Sequence, residues 1–372
     1  QFFDRTSRVR KTSTTETRLI INNNIVGFYI KTLNEEDDAE GWLFGGDAAQ
    51  ANSQYNINIK AIYAQTGFDV NEKVSNTTSI RYENNEILYT GNSYGYYGNE
   101  LPFVESSSIY DLLGFKSSFV YEINKFTRLY SYMSRGYKSG GINQQPYVSL
   151  NNRRYNPEYL YNYEVGFKNI SNKSFINLSM FYSERINQQV SVSAQQNDNN
   201  PNSFYYFIAN SGEGWIKGLE FDYKRDFTKY ITIESSLGIL DTWIDEFLYE
   251  SSYGVAEVGG NRQAPMSPNI SGSFKLLYQN NGYFFTISNS YKSEYYFSDS
   301  HDNKTNAFSL NNLSFGRQLK NINLSIWINN LFDKRYPIRG FYFGLIPPNY
   351  EDQLWVNYGD PFQVGIAIDY NF

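Results

Sequence analysis

"VGIAIDYNF", Val364 to Phe372, closes the sequence. Val364, Ile366, Ile368, Tyr370 and Phe372 share one parity; Gly365, Ala367, Asp369 and Asn371 share the other. Apolar residues at period two define a strand with one oily face. A soluble sheet turns such a face to its core, whereas a strand facing lipid can carry it openly to a last aromatic residue.

The same rhythm runs upstream. Ile57, Ile59, Ala61 and Tyr63 form an apolar row opposed by Asn56, Asn58 and Lys60. Leu113, Phe115, Phe119, Tyr121 and Ile123 form another; Tyr163, Val165 and Phe167 stand against Glu164 and Lys168. Ile176, Leu178, Met180 and Tyr182 follow, then Leu219, Phe221 and Tyr223 against Glu220, Asp222 and Lys224, then Ile322, Leu324, Ile326 and Ile328. About fifteen such segments are present, each near the length that a tilted strand needs to cross a bilayer.

Composition narrows the class. Of 372 residues, 35 are Tyr and 28 are Phe, an aromatic load suited to strands and to membrane–water interfaces. There is no cysteine and one histidine, which removes thiolate chemistry and His-rich metal sites and leaves no Ser-His-Asp constellation. The net charge of −6 comes without a basic stripe, which excludes a nucleic-acid binder. No apolar run is long enough for a transmembrane helix. "QFFDRTSRVR" has no features of a signal peptide, so an export signal is expected further upstream.

Connections alternate between short and long. "NNN", "TGFDVNEK", "NKF", "SNKS", "DFTKY", "QNNG" and "RQLKN" are short. Between them stand long ones, from "NEEDDAEGWLFGGDAAQAN" to "DKRYPIRGFYFGLIPPNYEDQLWVNYGDP". Short turns on one rim and long loops on the other are the plan of an outer-membrane barrel; a sandwich gives no reason for them. The expected fold is an all-β, transmembrane antiparallel barrel with periplasmic turns and extracellular loops. Its last strand descends to the periplasmic interface at Phe372. A closed bacterial barrel has an even strand count, so the odd count here predicts that N-terminal strands are missing.

Several stretches, in order, resemble the TonB-dependent outer-membrane receptors. "YSYMSRGYKSGGIN" and "YNPEYLYNYEVGFKN" resemble consecutive strands of that family, "NSGEGWIKGLEFDYK" resembles its "NAG…GVE" strand, and "WINNLFDKRY" its "NL-D–Y" motif. "YGDPFQVGIAIDYNF" is similar to the closing strand, with Phe362 where the family has arginine; "TTETRLIIN" and "INIKAIYAQTGFDV" fit two early strands. The resemblance runs from about residue 12 to the end. It implies a 22-stranded barrel around a plug domain, of which residues 1–372 are a partial barrel lacking the plug and about seven strands. It implies location in the bacterial outer membrane, and uptake of a scarce ligand, above all a ferric siderophore, energised by the inner-membrane TonB complex. Outer-membrane lipid, lipopolysaccharide and the barrel assembly machinery are the other implied partners, with a monomeric receptor and no cofactor. Ile366, Ile368, Tyr370 and Phe372 are then the C-terminal assembly signal. The alternative is a passive porin-like channel of about sixteen strands.

No catalytic constellation is visible, so an enzyme is not expected. His301 lies between Asp299 and Asp302 on an Asn/Ser-rich loop and reads as a solvated residue. Glu35, Glu36, Asp37 and Asp38 read as a solvated acidic loop, or a cation bridge to lipopolysaccharide. Ligand contacts are expected where aromatics and arginines crowd the long loops, since both can engage an anionic iron chelate. These are Tyr96 and Tyr97; Arg153, Arg154 and the adjoining Tyr155; Tyr253 and Arg262; Tyr295 and Tyr296; and Arg339 and Tyr342. An interfacial girdle or a lipopolysaccharide contact reads the same way for each. Glu164 and Glu220 are expected to face the lumen and hydrogen-bond the wall or plug, because charge facing lipid at mid-depth is destabilising.

Overall fold

The computed structural model describes residues 3–43, 48–95, 97–145, 148, 150–195, 204–250, 256–299, 301–349, 351 and 353–370. Six long strands come first: β1 (Asp4–Ile21), β2 (Asn24–Leu43), β3 (Ala48–Asn71), β4 (Val74–Tyr94), β5 (Val104–Asn124) and β6 (Thr127–Lys138). The next connection carries a short ladder of β7 (Gly141–Ile142) with β8 (Arg154–Tyr155). β9 (Glu158–Ile170) and β10 (Ser174–Ile186) precede a hairpin of β11 (Gln189–Gln195) and β12 (Phe204–Asn210). β13 (Glu213–Asp226) and β14 (Ile231–Ile244) precede a second, of β15 (Phe247–Glu250) and β16 (Ala256–Gly259). Then come β17 (Ile270–Asn280), β18 (Tyr283–Lys292), β19 (Phe308–Gln318), β20 (Ile322–Asn329), a third hairpin of β21 (Pro337–Phe343) and β22 (Gln353–Tyr358), and finally β23 (Gln363–Tyr370). The wall is one 15-stranded sheet in chain order, β1 and β23 at its edges, with the hairpins as separate two-stranded sheets. Every pairing is antiparallel, and no helix occurs among the described residues.

Polar residues set the short turns. At Asn281–Gly282 both φ angles are positive, 49° and 82°, the twist a two-residue hairpin needs. Asn71 Oδ1 accepts from the amides of Lys73 and Val74 at 2.9 and 3.0 Å, and Thr228 Oγ1 accepts from those of Tyr230 and Ile231. All seven such turns lie on one rim, as the spacing predicts.

The outer face follows the expected rows over most of the sheet. Cross-strand partners Val165, Met180 and Ile239 stand about half exposed in one line with Leu219. Val364, Ile366, Ile368 and Tyr370 are 53–73% exposed. Strands inside the sheet are bonded on both sides, so only the outer edges of β1 and β23 keep unpaired backbone groups.

Two expectations fail on the long strands. On β3 the outward residues are Ile62, Phe68 and Val70, at 51–56% exposure, while Ala61 of the opposite row is buried at 2%. The row Ile57–Tyr63 therefore faces inward and Lys60 outward. β3 carries apolar residues on both parities, and its upper half packs against a folded loop that the sequence pattern cannot display. Second, "NEEDDAE" is no loop: β2 continues through it to Leu43, in register with β1 and β3. A polar strand keeps its ladder because unpaired backbone groups are costly and neighbours of equal length satisfy them.

Candidate functional site

Apolar burial is concentrated at the long-loop rim. Ile142 of β7 packs with Ile87 and Tyr89 of β4 and Val104 of β5, joined by Tyr55, Ile57 and Tyr110. Tyr110 donates to the carbonyl of Tyr155 at 3.0 Å and Tyr89 to that of Gln144 at 3.2 Å, which folds the connection after β6 back onto the wall. Gly140 permits this close approach, because a Cβ there would lie 2.4 Å from Tyr155 O. A second cluster joins this connection to the next two: Val148, Val190, Phe207, Ile244 and Phe247. Asn143 bridges them with a reciprocal pair of 2.8 Å bonds to the backbone of Ile208.

Below these loops the wall contributes charge. The Asn22–Asn23 turn places Arg8 opposite Asp37 and Arg10 opposite Glu35. Arg8 grips Asp37 with two bonds of 2.7 and 2.6 Å, and Arg10 Nε donates to Glu35, whose residue is 7% exposed. Arg8, Arg10, Glu35, Tyr55, Gln144, Gln145, Tyr155, Ser191 and Phe207 line a cavity of about 510 Å³. Burial, reinforced by Tyr110, raises the Tyr155 phenol above its ordinary value, so it presents a neutral hydroxyl.

Farther round the rim a polar clasp joins the last loops. The His301 ring stacks on Tyr342 at 3.5 Å and 8°. Arg262 donates to His301 O at 2.7 Å, pairs with Asp302 at 2.9 Å and lies over the Tyr296 ring. Lys304 covers Tyr296 and pairs with Glu294 at 3.1 Å. Burial holds the Asp299 carboxyl above the usual carboxylate range, offset in part by its own backbone, His301 and Arg262.

The sequence candidates therefore divide. Arg262, Tyr296 and Tyr342 come together, with His301 as their neighbour instead of a solvated residue. Arg153 does not face the mouth: it is 6% exposed and donates to the carbonyls of Asn143, Gln145 and Val148, so it folds its own loop. Tyr295 is likewise buried at 3%, edge-on to Phe297. Arg154 is exposed and donates to Ser106 Oγ at 3.1 Å; Tyr97 is 98% exposed and Arg339 is exposed. Tyr96, Tyr253 and Phe372 lie outside the described residues. Glu164 accepts from Tyr130 and Tyr132 at 2.8 and 2.7 Å, and Glu220 stands exposed opposite Ser179 and Gly238, both on the face opposite the lipid rows. The sequence reading missed Arg8, Arg10 and Tyr55. Counting outward from the Asn22–Asn23 turn would have paired both arginines with alternate acids of "NEEDDAE".

The architecture matches solved receptors. The chain is similar to the ferric yersiniabactin uptake receptor from Yersinia pestis, with TM-score 0.78 and 16% identity over 99% of this chain and 55% of that one. A copper transporter aligns with TM-score 0.72 and 12% identity over 99% and 57%. A siderophore receptor from Acinetobacter baumannii aligns with TM-score 0.70 and 13% identity over 98% and 56%. At such identities the likeness is one of fold, and the chain spans little more than half the length of these proteins. Residues 1–331 match the family described as TonB dependent receptor-like, beta-barrel. The chain belongs to the TonB-dependent receptor family, as part of its β-barrel.

Proposed function

We propose that this chain is the wall and extracellular mouth of a bacterial outer-membrane receptor that takes up a scarce ligand, a ferric siderophore in the first instance, with energy from the inner-membrane TonB complex. Its family is one of outer-membrane receptors, not enzymes. The observation that carries the reading is the mouth itself: connections on one rim fold onto each other and, with the wall strands, border an open cavity lined by aromatic and hydrogen-bonding side chains. A passive pore has no need of such a cradle. Within it, Tyr155 stands nearest to the expected ligand role, and Arg262, Tyr296 and Tyr342 form a second contact region on the same rim. Glu164 and Glu220 serve the lumenal wall, where a plug would pack; Ile366, Ile368 and Tyr370 serve assembly and lipid contact.

The test is transport of radiolabelled ferric siderophores into cells that carry the intact receptor, with and without a functional TonB complex. TonB-dependent accumulation supports the reading. Accumulation that persists without TonB would assign a passive channel.

A further inference from the structure

We infer that the part of the ligand seated in the rim cavity carries little or no net charge. This deepens the uptake reading and rests on it. The cavity's cations are Arg8 and Arg10, and each is already committed: Arg8 to Asp37 through two bonds of 2.7 and 2.6 Å, Arg10 to Glu35. Two guanidiniums face two carboxylates, so the patch is neutral as a unit. Arg8 also approaches Glu35 at 3.6 Å, which ties the four groups together. A polyanionic ligand would have to draw Arg10 away and leave Glu35, 8% exposed at its side chain, with only its longer contact to Arg8. The arginines are half exposed, at 49% and 53%, so the cost of parting falls on the buried carboxylate. The nearby Arg153 is spent on three backbone carbonyls.

What the cavity does offer is neutral. Tyr55, Tyr155 and Phe207 supply rings, and Gln144 and Ser191 supply uncharged polar groups. Gln145 adds an independent sign: it lines the cavity, and its buried Oε1 has no hydrogen-bond partner among the described residues. A ligand face with amide or hydroxyl donors and no net charge meets all of these features. Among iron chelates, an uncharged ferric trihydroxamate fits and a trianionic ferric triscatecholate does not.

The experiment is equilibrium binding of both chelates, and of an uncharged oligosaccharide, to the intact receptor in outer-membrane vesicles. The expected result is that the trihydroxamate binds at least about tenfold tighter than the triscatecholate. Glu35→Gln or Asp37→Asn should each free an arginine and narrow that gap. Triscatecholate binding as tightly as trihydroxamate in the unaltered receptor would overturn the inference and leave the iron-uptake reading intact. Binding of the oligosaccharide with neither iron chelate bound would overturn iron uptake and uphold the neutral cavity.

Discussion

Replacing Gly166 with alanine drives a methyl group into the ring of Tyr130. An ideal Cβ at this position lies 2.3 Å from Tyr130 Cζ and 2.4 Å from Cε1, closer than any carbon contact tolerates. The ring must move, and its hydroxyl, 2.8 Å from Glu164 Oε1, moves with it. Overpacking costs about 1–3 kcal/mol. A hydrogen bond to a charged group contributes about 1.5–3 kcal/mol, nearer ~1 kcal/mol on a wet lumenal wall. Gly166→Ala should therefore destabilise the barrel by about 3 kcal/mol, and Tyr130→Ala, which loses the bond and the ring, by about 2 kcal/mol. In the double variant the clash is gone and only the second loss remains, so its cost should stay near ~2 kcal/mol instead of the additive ~5 kcal/mol. Urea titration of the intact receptor in lipid, followed by tryptophan fluorescence, measures all three. Additivity to within about 0.5 kcal/mol would refute the argument, because it would mean that the two residues do not meet.

Val165→Arg puts a charge on the lipid face at mid-depth and should cost about 2–4 kcal/mol, whereas Glu220→Arg on the lumenal face should stay within about 1 kcal/mol in the same titration. Arg153→Ala removes three carbonyl anchors, worth about 3 kcal/mol together, so cleavage within residues 141–155 by added protease should rise about 100-fold with the wall intact. Asp299 binds its proton more tightly when folded than when unfolded, since its folded pKa is raised by burial. Its stabilising effect is therefore full below the ordinary carboxylate range and is lost as pH rises through the raised value. Protease protection of the 294–305 connection should fall across that window, and Asp299→Asn should flatten the dependence.

The membrane half of the fold was readable because lipid imposes one rule on every strand that crosses it. Met180 and Val165, or Ile366 and Ile368, obey period two with nothing else pulling on them. Above the bilayer that rule lapses. Ile57 turns inward onto Ile142, a residue 85 positions away along the chain, and no local pattern records such a contact. "NEEDDAE" looked like a loop because its residues are polar, yet a strand in water needs only a partner of equal length. Residue type alone marks the ligand candidates in a sequence, and it cannot separate a displayed arginine from a structural one. Arg153 and Arg154 are neighbours in sequence; one is locked among carbonyls and the other lies open.

The most direct test of the account is a single-cysteine scan of residues 163–165, 167 and 168, a stretch in a barrel segment that has no cysteine of its own. Each variant of the intact receptor, in lipid vesicles, would carry a fluorophore exposed in turn to a lipid-soluble and an aqueous quencher. Positions 163, 165 and 167 should be quenched from lipid, and positions 164 and 168 from water. Quenching from water at all five would contradict a membrane wall, and with it the receptor built on that wall.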